Sequence, residues 1–425
     1  MLALVDCNNF FVSCQRVFEP HLENRPVVVL SNNDGCIISR SQEAKDLGIK
    51  MGEPLFMAKK VIEQENVAVF SSNFMLYGDM SKRVMAVLRQ FGAVEQYSVD
   101  EAFVNLEKVP TAHLQEYGSI IRATIKKYLG LPVCVGIAPT KTLAKVANHL
   151  AKKDTNHQGV MVLDTPLKQE AALLQTPIAD IWGIGRKYAV KMHQHQLYTA
   201  ADLVNRSPNW IREHLGGVVG LRLVKELQGH ACQELKVAEP EKKSIACTRS
   251  FSAYITSQEE LGEAVATYMA RAAEKLRRQG SAANVVSVFI RTNKFSVHAK
   301  QHHVATQMVL PVASCDTGEL TRYALACLQN IYQPTFLYKK AGVVLYGIVP
   351  AGQTQTNIFD TTDRAKSNKL MQALDKLNLK LGKNEWGTSM VGYAAAGTEK
   401  NWKMNLTRMS DRFTTHWPEI LKVRI

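Results

Sequence analysis

The sequence predicts an α+β fold divided among several domains, on three observations. At 425 residues the chain is long enough for two to four domains. Short apolar runs that read as strands (2–5, 26–30, 36–39, 94–99, 103–106 and 131–137) are interleaved with helices at 41–47 and 143–153. A charged stretch, KVAEPEKKS at 236–244, has one proline and no apolar period, so it reads as a linker. Beyond it the elements follow the order β-α-β-β-α-β, the split βαβ arrangement.

The first strand, 2–5, ends at Asp6 and is followed by Cys7-Asn8-Asn9-Phe10-Phe11. A second acidic element lies in Tyr97-Ser98-Val99-Asp100-Glu101-Ala102-Phe103, between two strand-like runs. Neighbouring side chains on a straight strand point to opposite faces, so Asp100 and Glu101 serve one site only from a tight turn. Such a turn seats two anionic oxygens suited to a hard divalent cation. A solvated hairpin turn is the other reading of the pair, and a strand-ending turn is the other reading of Asp6. Taken together, Asp6, Asp100 and Glu101 form an expected three-carboxylate cluster, which its own repulsion forbids without a cation.

Between these acidic elements, 26–30 and 36–39 form a hairpin around Asn32-Asn33-Asp34-Gly35, and Gly48 stops the helix at 41–47. Arg40 and Lys45 there suit either a phosphate chain or a solvated basic face. The strand at 131–137 turns through Ala138-Pro139-Thr140-Lys141-Thr142 into the next helix. Lys141 and the backbone N–H groups at that helix start are expected to favour an anion. No GxxxxGK[ST] loop is present, so a P-loop ATPase is not supported.

Trp182-Gly183-Ile184-Gly185-Arg186-Lys187 reads as a glycine hairpin between short helices, a helix-hairpin-helix whose N–H groups hold a DNA phosphate. Lys191 adds charge. Ordinary glycine caps are the alternative. In the second half, Leu261, Val265, Met269, Ala272 and Leu276 mark one helical stripe, and Leu320, Ala324, Cys327, Leu328 and Ile331 another. Residues 236–350 hold 14 Lys and Arg against 8 Asp and Glu, a net of +6, which suits a nucleic-acid clamp. After residue 351, Ile358 and Phe359 stand on a polar tether, as a peptide anchor for a partner or as packing on their own domain. Leu370, Leu374 and Leu377 suggest one more helix. Trp386, Trp402 and Trp417 suggest local packing or a partner surface.

Composition narrows the class. The net charge of +14 points to a polyanionic partner. A membrane surface is the competing polyanion, but no apolar run is long enough to span a bilayer and no secretory leader pattern is present, so no membrane partner is expected. The eight cysteines form no CxxC pair and read as reduced, mostly buried thiols of a cytoplasmic protein. His193/His195 and His302/His303 lack a matching set of zinc ligands.

The acid arrangement, the 97–103 run, the turn-helix at 137–145 and the Gly183-Ile184-Gly185 hairpin resemble Y-family translesion DNA polymerases. Ser31-Asn32-Asn33-Asp34-Gly35-Cys36, Phe70-Ser71-Ser72-Asn73, Tyr77-Gly78-Asp79-Met80-Ser81 and Asp180-Ile181-Trp182-Gly183-Ile184-Gly185-Arg186 resemble the UmuC-type branch of that family over nearly the whole chain. The resemblance implies a right-hand polymerase: palm at 1–18 and 72–165, fingers at 19–71, a helical thumb carrying the helix-hairpin-helix at 166–235, a linker at 236–243, a β-α-β-β-α-β little finger at 244–350, and a C-terminal partner-binding tail at 351–425. It implies addition of deoxynucleotides to a primer 3′ end on primer-template DNA, opposite damaged template, in SOS mutagenesis and DNA repair, without proofreading.

Two magnesium ions are implied, held by Asp6, Asp100, Glu101 and the Cys7 carbonyl, with Asp6 and Asp100 bridging. Phosphoryl transfer of this kind needs alignment and charge neutralisation rather than covalent help. By family position Lys141, Lys45 and Ser39 serve the triphosphate. Phe10 and Phe11 fall on the nucleotide side, Phe11 at the position that excludes ribonucleotides, with core packing also open for Phe10. Many relatives carry Tyr-x-Ala-Arg in the fingers, where this chain has Gln42-Glu43-Ala44-Lys45, a point charge instead of a planar fork. Gly183, Gly185, Arg186 and Lys187 are implied DNA contacts. Gln355-Thr356-Asn357-Ile358-Phe359 resembles a Gln-Leu-x-Leu-Phe clamp peptide, with Thr356 replacing the first Leu. A UmuD′-type dimer, RecA and the sliding clamp are the implied protein partners. A non-catalytic DNA-binding scaffold and a metal-dependent nuclease are the competing readings.

Overall fold

Strand alternation explains the first sheet. In Leu2–Cys7, Ala3, Val5 and Cys7 face one apolar core while Leu4 faces another. The computed structural model of the chain describes residues 1–236, 240–296, 299–381, 391–397, 402, 404 and 406–422, residue 155 by its backbone alone. It divides into two units, 1–239 with 407–425, and 240–406. That division falls inside the expected linker, of which residues 237–239 lie outside the described residues, as does Trp386.

The first unit is built on a five-stranded sheet in the order Val94–Gln96, Glu101–Asn105, Leu2–Cys7, Val133–Ala138, Val160–Val162. Helices Phe74–Leu88 and Leu114–Leu129 bury Leu76, Met80, Val84, Ile121 and Ile125 against one face. Helix Lys141–Lys153 buries Leu143, Ala147 and Leu150 against the other, with Leu4 and Phe103. It lies so close to the sheet that a Cβ on Gly136 would sit 2.2 Å from the Asn148 backbone nitrogen. Glycine is therefore required in the middle of that strand.

A small sheet of Ile37–Arg40, Val27–Leu30 and Ala68–Phe70 carries helix Leu55–Gln64 and has its own core around Val28, Leu30, Ile37 and Ala58. The expected hairpin is present, and Gly48 ends the short helix Gln42–Asp46 at φ +80°. Five helices between Pro166 and Leu227 complete the unit and share the core of helix Lys141–Lys153.

The second unit has the expected β-α-β-β-α-β order. Its antiparallel sheet runs His303–Ser314, Ser281–Thr292, Tyr338–Pro350, Ile245–Ile255. Helices Gln258–Arg278 and Thr317–Ile331 pack on it through every residue of the two apolar stripes read from the sequence. Helix Arg364–Leu381 follows, held by the Arg277–Asp375 pair at 2.7 Å and by buried Met371. Trp402 is buried beside Tyr268 and Phe251, whereas Trp417 is exposed. The residues after 351 are thus shared between the units: the helix and Trp402 belong to the second, and 407–422 packs in the first.

Candidate active site

The two acidic elements meet because their strands are neighbours. Asp6 stands opposite Glu101 in the antiparallel register, and the Cys7 backbone N–H donates to the Asp100 carbonyl at 2.9 Å. The turn before Glu101 is closed by Tyr97 and Ser98 N–H groups donating to the Glu101 carbonyl. The Ser98 hydroxyl donates to Asp100 Oδ1 at 2.6 Å. Asp6 and Glu101 interact side chain to side chain, while Asp100 is held by Ser98. Among the described residues no three metal-ligating side chains converge in this geometry. The expected cluster is therefore assembled by its backbone, and its carboxylates are held by local partners.

Those partners are lysines of helix Lys141–Lys153. Lys152 Nζ lies 2.5 Å from Asp6 Oδ1, and Lys145 Nζ lies 3.1 Å from both Glu101 oxygens. Burial pushes the Asp6 carboxyl up to about 7, against the pull of Lys152 and with the further push of Glu101. Two partly buried carboxylates held beside monovalent cations on hard oxygen ligands fit a divalent cation by donor chemistry.

Lys141 is not in this group. Its ammonium is almost fully buried and donates to Glu95 Oε2 at 2.6 Å and the Glu234 carbonyl at 2.8 Å. The start of its helix already has an anion: Glu226, wholly buried, accepts from Thr142 N–H and Thr142 hydroxyl at 3.1 Å. The expectation of a phosphate at this helix start is corrected on both counts, since a folded carboxylate takes the N–H groups and an internal ion pair takes the lysine. Lys141, Lys145 and Lys152 lie on one helical stripe and meet Glu95, Glu101 and Asp6 in turn. Spacing of four and seven marks that stripe in the sequence, but only the register of the strands says which lysine meets which acid. Lys152 is the residue sequence reasoning missed.

Lys45 is half-buried, and burial lowers its pKa, with the positive charges of Arg40 and Lys152 adding to the effect. Lys45, Arg40 and Lys152 thus share one cationic region. The Ser39 hydroxyl reaches the Asn9 carbonyl at 3.5 Å, and Asn9 adopts φ +47° at the start of helix Phe10–Phe18. Phe10 is buried in the sheet core, so its ring does not face a nucleotide. Phe11 is half-buried and stacks on Tyr77 at 4.5 Å and 18°, with Phe74 edge-on at 6.0 Å. Tyr77 is itself fixed: it is fully buried and its hydroxyl accepts from Gln15 at 2.7 Å.

The glycine hairpin forms where the sequence places it. Gly183 has φ +97°, Ile184 is buried, and Gly183, Gly185, Arg186 and Lys187 are exposed. Lys191 is turned inward to the His214 carbonyl at 3.0 Å. Ile358 and Phe359 are 93% and 83% exposed, so they do not pack on their own domain. All eight cysteines are unpaired. Among the described residues no helix is long and apolar enough to cross a membrane.

Residues 5–149 match the impB/mucB/samB family, residues 242–358 match that family's C-terminal domain, and residues 368–423 match a domain of unknown function, DUF4113. The chain is 43% identical to Protein UmuC of Salmonella typhimurium over the full length of both. It is 29% identical to DNA polymerase IV of Corynebacterium diphtheriae, over 85% of this chain and 77% of that one. A Y-family DNA polymerase chimera of Dbh and Dpo4 shares the fold with a TM-score of 0.68 at 20% identity, covering 82% of this chain and 99% of its own.

Proposed function

The chain belongs to the impB/mucB/samB family and is a Y-family translesion DNA polymerase of palm, fingers, thumb and little finger; we propose that its nucleotidyl transfer runs on Asp6, Asp100 and Glu101. The observation that carries this assignment is the register that sets Asp6 opposite Glu101, with Asp100 one residue away and Lys152 beside them. The palm is proposed at 1–18 and 72–165, built on the five-stranded sheet, and the little finger at 244–350, built on the four-stranded one.

The chemistry that two bound magnesium ions would supply here is activation of the primer 3′-oxygen and neutralisation of the leaving pyrophosphate. Asp6, Asp100, Glu101 and the Cys7 carbonyl would hold these ions, with Asp6 and Asp100 as the ligands proposed to serve both. Lys152 and Lys145 release the carboxylates they now hold. Lys152 then turns its charge to the triphosphate together with Lys45, with Ser39 beside them. Phe11, backed by Tyr77, floors the sugar. Gly183 and Gly185 offer backbone N–H groups, and Arg186 and Lys187 charge, to a DNA phosphate.

A primer-template extension assay with and without dNTPs tests the reaction. Growth supports the polymerase, shortening a nuclease, and an unchanged primer a scaffold.

The basic thumb and little finger are expected to bind DNA with little regard to sequence. About six phosphate contacts predict an affinity loss of about 10³-fold between about 50 and about 200 mM salt. Titration of labelled random duplexes against salt measures the slope, and a flat slope would refute a backbone-binding clamp.

The exposed Ile358 and Phe359, with Gln355, are proposed to dock on a sliding clamp. Replacing both by Ala removes two apolar anchors worth about 1.5–3 kcal/mol each when buried. Clamp-stimulated synthesis should fall at least about tenfold while clamp-free synthesis holds. Equal stimulation of both proteins would remove the peptide from that role. A UmuD′-type dimer and RecA are proposed as further partners, with cytoplasmic action in the SOS response.

A further inference from the structure

Ser71 and Asn73 lie at the return from fingers to palm, and both are almost completely buried. Buried polar groups require partners: the Ser71 hydroxyl donates to Asp34 Oδ2 at 3.0 Å, and the other long-range partners of this pair come from more than 300 residues away. Ser71 N–H donates to the Arg408 carbonyl at 2.8 Å, and Arg408 N–H donates to the Ser71 hydroxyl at 3.0 Å. Asn73 Nδ2 donates to the Ser410 carbonyl at 3.1 Å, to the Ser410 hydroxyl at 3.2 Å and to the Asp411 carbonyl at 3.0 Å. Two residues further on, Phe413 is 7% exposed and stacks on Phe18 at 4.9 Å and 8°. Arg412 braces the segment by its pair with Glu419 at 2.6 Å.

These contacts fall on the two helices that make the sugar platform. Phe18 ends helix Phe10–Phe18, which carries Phe11 two turns earlier on the same side. Asn73 caps helix Phe74–Leu88, its Oδ1 accepting from Leu76 N–H at 3.2 Å. That helix supplies Phe74 and Tyr77, the rings packed on Phe11. One segment of the tail therefore grips the far end of one helix and the near end of the other.

We propose that Ser71, Asn73 and Phe18 form a peptide-docking site whose occupant is the chain's own segment 408–413, and that Asn73 is a positioning residue for the nucleotide site. The docked segment holds helices Phe10–Phe18 and Phe74–Leu88 together and so keeps the Phe11 ring against Tyr77. This assigns a role to the end of the region matched only as a domain of unknown function. The sugar-selection part rests on the polymerase reading above; the docking part does not.

Asn73→Asp is the discriminating variant. An aspartate keeps the helix cap, since Asp and Asn cap equally well. It also replaces the donor that holds two carbonyls and a hydroxyl by an acceptor. In the full-length protein, hydrogen exchange across 407–419 should quicken at least about tenfold while exchange in the palm strands stays unchanged. The ratio of kcat/KM for matched deoxy and ribo substrates should fall at least about threefold, roughly 0.65 kcal/mol. Phe413→Ala, which removes the ring stacked on Phe18, should move both readouts the same way.

Unchanged exchange in both variants would overturn the docking site. Faster exchange with an unchanged ratio would overturn the coupling to sugar selection. Failure of the parent protein to extend a primer would fail the polymerase reading and the coupling with it, while the exchange measurement still decides the docking.

Discussion

Asp100→Asn should abolish primer extension while leaving fold and DNA binding intact. The substitution changes charge and hardly changes volume. The neighbours of Asp100 tolerate the amide: the Ser98 hydroxyl, now donating at 2.6 Å, can accept from it, and the Cys7 N–H bond is to the Asp100 backbone carbonyl. What is lost is the anionic charge of the carboxylate proposed to serve both cation positions. Removing a single fixed electrostatic partner of a transition state costs about 10²–10³ in rate. A shared ligand should cost more, about 10³-fold or greater, or about 4 kcal/mol and above. The measurement is single-turnover incorporation on one primer-template, beside melting temperature and duplex affinity. A rate within about tenfold of the parent, with both controls normal, would take Asp100 out of the reaction.

The acids were legible because strand physics is local. The period of two in Leu2–Cys7 and the turn before Glu101 can be read from a dozen residues, and their meeting needs only two adjacent strands. The glycine hairpin and the stripes of the two little-finger helices are local in the same sense.

Lys141 was not legible. Its place at a helix start after a strand suggests an anion site, and what cancels that reading is Glu226, 84 residues further along the chain at Thr142. The same helix carries Lys152 to Asp6, but its periodicity marks three equivalent lysines and does not rank them. Phe10 and Phe11 are adjacent aromatics that local pattern does not order. The left-handed Asn9 starts their helix with Phe10 turned to the core and Phe11 to Tyr77. The tail was least legible of all. Nothing in Phe70-Ser71-Ser72-Asn73 itself points to residues 408–411, which are hydrogen-bonded to it.

Phe11→Ala should raise ribonucleotide use relative to deoxynucleotide use by at least about tenfold, or about 1.4 kcal/mol in relative barrier. The ring is half-buried and lies flat on Tyr77 at 4.5 Å, with Phe74 closing its edge at 6.0 Å. Tyr77 cannot yield, because it is fully buried and tied to Gln15. A 2′-hydroxyl arriving over Phe11 therefore meets a backed surface, whereas a 2′-hydrogen does not. Truncation to Ala opens that space. A fully buried Phe→Ala change costs about 3–5 kcal/mol, and a half-buried ring costs less, so the variant should stay folded. If Phe11 were only a packing residue, stability would drop and activity would fall equally with both substrates. Competing kcat/KM values for matched ribo and deoxy substrates separate the two, because a general loss cancels in the ratio. A ratio unchanged in a folded variant would show that the sugar is selected elsewhere.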